Sequence, residues 1–211
     1  MRFNKVLLIN PFYSSQFYSI PVLPAGLGYL AECLKENRID YDILDMALGY
    51  NLNSLKRKIG LFRPDLIGFS MMSYRYKNIY KIIKEIKTAF PHIKVICGGP
   101  HASNLKEKIL LECPAVDYGV TFEGEHTLLE LIKGMQLKDV KGLAYRKNGK
   151  IIYAGDRGFI DNLDAIPFPK YDKFELKKYR YGISIVGSRG CPYSCIYCSC
   201  HLIGKKIRFQ A

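Results

Sequence analysis

Short apolar runs alternate along this chain with segments whose apolar residues recur three and four positions apart. Lys5–Asn10, Tyr41–Asp45, Leu66–Ser70, Lys94–Gly98 and Tyr118–Thr121 read as five buried strands. Helical spacing joins Leu27, Leu30, Ala31 and Leu34; Leu52, Leu55, Ile59 and Phe62; and Ile79, Ile82, Ile83, Ile86 and Phe90. Leu128, Leu131 and Ile132 repeat it after the fifth strand. A helix after each strand carries the chain back to the same end of the sheet, so the alternation predicts an α/β fold: a parallel sheet with helices on both faces.

The pattern then changes. Leu143–Arg146 and Ile151–Ala154, joined through Asn148-Gly149, predict a hairpin. Prolines at 167 and 169 interrupt any regular element between Gly155 and Arg180, which reads as a linker. Tyr181–Val186 reads as the first strand of a second domain. The expected division is 1–137, then hairpin and linker over 138–180, then the start of another domain over 181–211.

In an open parallel sheet, ligands sit beyond the carboxyl ends of the strands. The loops there are Asn10-Pro11-Phe12-Tyr13, the stretch from Gly68 to Ser73, Gly98-Gly99-Pro100-His101 and Phe122-Glu123-Gly124-Glu125. Gly98-Gly99 would let backbone approach a bulky ligand, although such a sequence is also an ordinary turn. His101 is the one rim histidine that could reach a metal or a ligand amide, or cap the next helix; His92 reads as a surface turn and His126 as structural. Glu123 and Glu125 could act as acid and base, and a helix dipole also accounts for them.

Composition changes the picture little. Of 211 residues, 48% are hydrophobic and 24% charged, as expected of a globular protein with one good core and an appendage. Val6–Ile9 is too short for a signal sequence or a membrane span, and Cys33, Cys97 and Cys113 lie singly in apolar patterns, so a cytoplasmic protein without a membrane partner is expected. The net charge of +13 would suit nucleic acid, but lysines such as Lys81, Lys84 and Lys87 lie on polar helix faces, and the composition alone gives no such partner.

The chemistry is concentrated in Cys191-Pro-Tyr-Ser-Cys195-Ile-Tyr197-Cys198, a C-x-x-x-C-x-x-C run. Three thiolates can hold three corners of a 4Fe-4S cluster and leave the fourth iron open to a ligand. A zinc site completed by Cys200 or His201 is the competing reading, although no second cysteine knuckle lies upstream.

The run resembles the radical S-adenosylmethionine (SAM) superfamily, which shares the spacing and an aromatic residue before the last cysteine, here Tyr197. That resemblance implies SAM chelating the open iron, cleavage to a deoxyadenosyl radical, and an electron donor such as a flavodoxin or ferredoxin. Pro24-x-Gly26-Leu27-x-Tyr29-Leu30, the segment Pro64–Ser70, Gly98–His101 and Glu123-Gly124-Glu125-x-Thr127 resemble the cobalamin-binding domain that precedes the radical SAM barrel in one subfamily. The resemblance implies a flavodoxin-like (Rossmann-like) domain with a corrinoid across the rim, touching Ser70, Gly98, Gly99, His101, Glu123 and Gly124. The Asp-x-His-x-x-Gly loop of cobalamin mutases and methionine synthase is missing after the first strand. A cobalamin bound here would take no axial histidine from that loop.

These resemblances imply a radical SAM enzyme, a methyltransferase first of all, with radical rearrangement or cyclisation as relatives' alternatives. A non-corrinoid scaffold or partner-docking domain is the reading from another class. Only residues 199–211 follow Cys198, whereas an α/β barrel needs on the order of 200, so a fragment without its own turnover is expected. The substrate, a small molecule or peptide, is not legible.

Overall fold

The computed structural model describes residues 2–11, 21–199, 204 and 206–210. Strands β1 (Lys5–Asn10), β2 (Asp40–Asp45), β3 (Leu66–Ser70), β4 (Lys94–Gly98) and β5 (Tyr118–Val120) form where the apolar runs predict them. They pair in parallel in the order β2-β1-β3-β4-β5, the flavodoxin-like arrangement, with Leu8 opposite Ile43 on one side and Gly68 on the other.

Alternate residues of each strand feed two cores. Val6 and Leu8 join Leu27, Leu34, Leu128 and Leu131 beneath α1 (Ala25–Glu36) and α6 (Gly124–Ile132). Leu7 and Ile9 join Leu55, Ile59, Ile83 and Ile86 from α2 (Leu52–Phe62) and α3 (Tyr76–Ala89). Burial on both faces is why β1 reads as an unbroken run, Val6-Leu7-Leu8-Ile9, rather than an alternating one. The β4–β5 crossover carries two short helices, α4 (Pro100–Leu105) and α5 (Lys108–Glu112), too brief to show a helical period.

The hairpin is not a separate appendage. Its strands β6 (Leu143–Lys147) and β7 (Lys150–Tyr153) extend the sheet to seven, β6 pairing antiparallel with β5 through Tyr118–Tyr145 and Val120–Leu143. Val140, Leu143 and Tyr145 are buried in the core beneath α1 and α6. Each such side chain contributes about 1.5–3 kcal/mol, and whole domains are stable by only about 5–15 kcal/mol. A chain truncated after Leu137 should therefore fail to fold cooperatively, while one that keeps the hairpin retains a melting transition by circular dichroism. The strands of this one sheet continue past residue 137 to β7.

The proline-bearing linker is irregular, as expected, but it packs. A Cβ on Gly28 would overlap the Tyr171 ring and fall 2.9 Å from Pro169, so this glycine is what lets the linker lie against α1. Tyr171, Phe174 and Tyr179 are buried, and the Tyr179 hydroxyl donates to Asp45 at 2.7 Å.

One element differs from expectation. Tyr181–Val186 forms no strand: Tyr181, Ile183 and Ile185 stand exposed and no ladder partner flanks them among the described residues. A strand exists through its neighbour's hydrogen bonds, and without them the same sequence is merely extended. Instead β8 (Ser188–Arg189) pairs antiparallel with β9 (Arg208–Phe209). No described helix is long and apolar enough to cross a membrane.

Candidate functional site

A cleft of about 580 Å³ opens beyond the carboxyl ends of β1, β3, β4 and β5. It runs down between α1 and α6 onto the sheet: Leu8, Gly68, Ile96 and Val120 line it from the strands, and Gly26, Leu27, Leu30 and Leu128 from the helices. Its position is where the connections from β1 and β3 leave in opposite directions, the place an open α/β sheet leaves free for a ligand. Gly68 lies mid-strand and gives the floor its depth. A Cβ there would stand 3.0 Å from Leu8 Cδ2. Glycine inside a strand is the sequence signal for such close approach; Gly68, expected at the start of a rim loop, lies within β3.

Of the expected contact residues, Ser70, Gly98, Gly99, Glu123 and Gly124 line this cleft. The two adjacent glycines serve different ends. A Cβ on Gly98 would meet nothing closer than the Val120 carbonyl at 4.0 Å, so its missing side chain is room in the cleft. Gly99 has φ +89°, and a Cβ would fall 2.9 Å from the Met71 carbonyl oxygen. There the Met71 amide donates to the Gly98 carbonyl at 2.8 Å and the His101 amide to the Met71 carbonyl at 3.1 Å, so Gly99 joins the β3 and β4 loops. Ser103 fastens the next pair, donating to the Gly99 carbonyl at 3.0 Å and accepting from the Phe122 amide at 2.8 Å.

His101 does not line the cleft. Its ring is buried on the α3 side, stacked on Tyr76 at 4.7 Å between centroids, with Nε2 3.0 Å from the Tyr80 hydroxyl and Nδ1 3.2 Å from Ser73 Oγ. Tyr80 gives its one proton to Glu112 at 3.1 Å, so it accepts from Nε2–H, and Nδ1 accepts from Ser73. Both nitrogens are thus used within the protein. Burial holds the imidazole pKa below its ordinary 6.5, only partly opposed by Glu112. The unfolded chain then binds the proton that folded His101 resists, and stability falls as pH drops below about 6.5. His101→Ala should cost about 1–3 kcal/mol of stability, flatten that acid-side slope in denaturant titrations, and leave ligand retention in the cleft unchanged.

Glu123 and Glu125 meet two arginines rather than standing as a free acid and base. Glu123 Oε1 lies 2.9 Å from Arg208 Nη2 and 3.7 Å from Arg189 Nη1, while Oε2 accepts from the Ile160 amide at 2.7 Å and Arg208 Nη1 at 2.9 Å. Glu125 Oε1 lies 2.7 Å from Arg189 Nη2. The Arg189 guanidinium also sits 5.1 Å from the Tyr29 ring centre, and the Tyr29 hydroxyl bonds Val186 and Gln210. Burial first, and then the Glu125 charge, push the nearby Cys33 thiol up to about 12. Sequence reading missed Arg189 and Arg208 as partners because their pairing arises from tertiary docking of β8 and β9 on α6. His92 and His126 are exposed.

The cysteine run begins two residues after Arg189. Cys191 and Cys198 are half-buried, Cys195 is exposed, and Ile196 and Tyr197 project into solvent at 102% and 89% exposure. The Cys191 amide donates to the Gly204 carbonyl at 2.9 Å and Cys198 to the Cys195 carbonyl at 3.1 Å. Among the described residues no three metal-binding side chains converge, so the thiols are near in sequence but not gathered. As a donor set, three thiols with this spacing suit an iron-sulfur cluster. Cys200, His201, Phe12 and Tyr13 lie outside the described residues, and with them the zinc alternative's extra ligands.

Residues 21–132 match the model of the B12 binding domain. The chain is 34% identical over 99% of its length to an uncharacterized methyltransferase of Pyrococcus horikoshii, covering 48% of that protein. It is 31% identical over 92% of its length to the anaerobic magnesium-protoporphyrin IX monomethyl ester cyclase of Rubrivivax gelatinosus, covering 38% of that protein. Among solved structures, the cobalamin-dependent SAM radical enzyme OxsB with aqua-cobalamin and SAM bound superposes with a TM-score of 0.85 at 25% identity, over 99% of this chain and 30% of that one. The chain spans less than half the length of these curated relatives. With its B12 binding domain, its flavodoxin-like strand order and its cysteine run, the chain belongs to the cobalamin-binding-domain radical SAM proteins.

Proposed function

We propose that this chain binds cobalamin in the cleft between α1 and α6, holds a 4Fe-4S cluster on Cys191, Cys195 and Cys198, and belongs to a SAM-dependent methyltransferase. One observation carries the reading: a glycine-floored cleft at the strand ends is bounded on one side by Ser188, Arg189 and Gly190, the residues that lead into the cysteine run. When bound, the cobalamin would supply a cobalt centre for methyl transfer, and the cluster an electron to SAM.

This chain's own residues bind and orient. Gly68, Leu8 and Ile96 give an apolar slot that would take the nucleotide tail, and Gly98 leaves space for the macrocycle at the rim. Ser103 and Gly99 hold the three rim loops in register, so the slot needs little ordering on binding. Both nitrogens of His101 are engaged within the protein, so its imidazole would not be a ligand to cobalt.

Anaerobic reconstitution with iron, sulfide and hydroxocobalamin, followed by gel filtration, should give protein with both the corrinoid and the iron-sulfur absorption bands. Elution of colourless protein would leave the scaffold reading. In the protein that carries this chain, methyl-labelled SAM should pass its label to product while further SAM is cut to deoxyadenosine. Deoxyadenosine without labelled product would point to rearrangement or cyclisation instead.

A further inference from the structure

Among the described residues, six besides glycine take a positive φ. Arg38, Arg63 and Lys106 sit at or just past the ends of α1, α2 and α4, Asn148 stands in the hairpin turn, and Tyr171 is buried with its ring edge-on to Phe174. Phe122 has no such reason. At φ +58° its Cβ crowds the adjacent carbonyl, a conformation that glycine adopts freely and a bulky residue rarely does.

Its neighbours hold it there. The Thr121 amide donates to the Gly142 carbonyl at 3.0 Å, the Phe122 amide to Ser103 Oγ at 2.8 Å, and Glu123 is tied to Arg208 and the Ile160 amide. Backbone strain persists where the surroundings impose it, and it gathers at ligand clamps. Here the strained residue carries a ring into the cleft wall. Phe122 lines the cleft together with Phe159, their ring centres 5.7 Å apart and their planes at 66°. Phe159 is pinned in turn: the Arg208 guanidinium lies 5.1 Å from its ring centre, and a Cβ on Gly204 would stand 3.1 Å from its ring. Both phenylalanines are only half-buried, so part of each stays open.

The wall's chemistry narrows the occupant. Two phenyl rings offer no hydrogen bond, and the polar groups beside them are engaged, Ser103 Oγ with the Gly99 carbonyl and the Phe122 amide, the Lys106 ammonium with Asp156. An apolar part of a ligand suits such a wall, whereas a carboxamide would be left unpaired. Position narrows it further. Phe122 lies two residues past the end of β5, at the rim with Gly98 and Gly99 and not on the slot floor of Leu8, Gly68 and Ile96.

Resting on the cobalamin reading above, we propose that the Phe122 ring, backed by Phe159, packs against the methyl-bearing edge of the corrin macrocycle and fixes where it sits on the rim.

The test is spectrophotometric titration of the full chain with hydroxocobalamin and with cobinamide, which keeps the macrocycle and lacks the nucleotide tail, for the unchanged protein, Phe122→Gly and Phe122→Ala. Both variants should bind hydroxocobalamin weaker by about tenfold or more, the order expected on withdrawing one phenylalanine from a buried contact. Cobinamide should lose the same factor. Phe122→Gly relieves the backbone as it removes the ring, so its melting temperature should match or exceed that of the unchanged protein, and Phe122→Ala should melt below Phe122→Gly. A ring that served only packing would give the reverse, a lowered melting temperature in Phe122→Gly with affinity retained, and that result overturns the assignment while the cobalamin reading stands. Loss for hydroxocobalamin with cobinamide unaffected would put the ring on the tail and overturn it too. If cobinamide binds the unchanged protein too weakly to read, hydroxocobalamin decides alone; if both variants fold poorly, the ring is a packing element and the assignment falls. Should the unchanged protein bind no hydroxocobalamin, the cobalamin reading falls with it.

Discussion

Replacing Cys191, Cys195 or Cys198 singly by serine should reduce reconstituted iron and sulfide to background, whereas Cys200→Ser should leave them intact. A cluster held by three protein thiolates has none to spare, and a serine hydroxyl at neutral pH is a poor ligand to iron. The loop reinforces the point. Between Cys191 and Cys198 the side chains of Ile196 and Tyr197 face solvent. The cluster itself would have to gather the thiols, as metal binding commonly organises its own site. Iron and sulfide determinations with the absorption spectrum read the result. Loss of iron in Cys200→Ser with retention in Cys191→Ser would invert the ligand assignment and bring a different metal set, zinc included, back into consideration.

The second large effect separates two neighbours in sequence. Gly98→Val should weaken cobalamin retention at least tenfold, about 1.4 kcal/mol, while leaving the melting temperature within about 2–4 °C. Its backbone lies outside the left-handed region and its Cβ would enter open cleft space, so the cost falls on the ligand. Gly99→Ala should do the reverse. At φ +89°, with the Met71 carbonyl 2.9 Å from the new Cβ, it should cost about 1–3 kcal/mol of stability, and affinity should fall only through the rim's distortion. Thermal melts and equilibrium dialysis on the two variants read both. Equal cobalamin retention by Gly98→Val would favour the scaffold reading.

The sheet was legible because its central strands are buried on both faces and therefore written as apolar runs, Val6–Ile9 being the clearest. The hairpin was legible as a hairpin from Asn148-Gly149, yet not as part of the sheet, since pairing of β6 with β5 depends on Leu143 and Tyr145 finding the core. The Tyr181–Val186 strand was over-read: alternating apolar residues announce a strand, but only a neighbouring strand makes one. At the site, Gly98 and Ser70 were readable as rim positions, whereas His101 was misplaced by its adjacency to Gly-Gly-Pro. In the first turn of α4 a change of one residue turns a side chain by about 100°, enough to carry it from the cleft to the opposite face. Arg189 and Arg208 left no local trace, because their meaning lies in contacts across 64 and 85 positions.

The contact of β8 and β9 with α6 has the character of a latch. Its members are Glu123, Glu125, Arg189 and Arg208, of which Glu125 and Arg208 are buried and the other two half-buried. Breaking one pair while the others stay sealed would strand a charge away from water, at about 3–5 kcal/mol. Parting the whole seam rehydrates all four groups at once. Partial opening is therefore the costly state, and the segment that leads into the cysteines is either shut against the sheet or fully released. A cofactor loop hung on such a fastening keeps one fixed distance from the cleft for as long as the latch is closed.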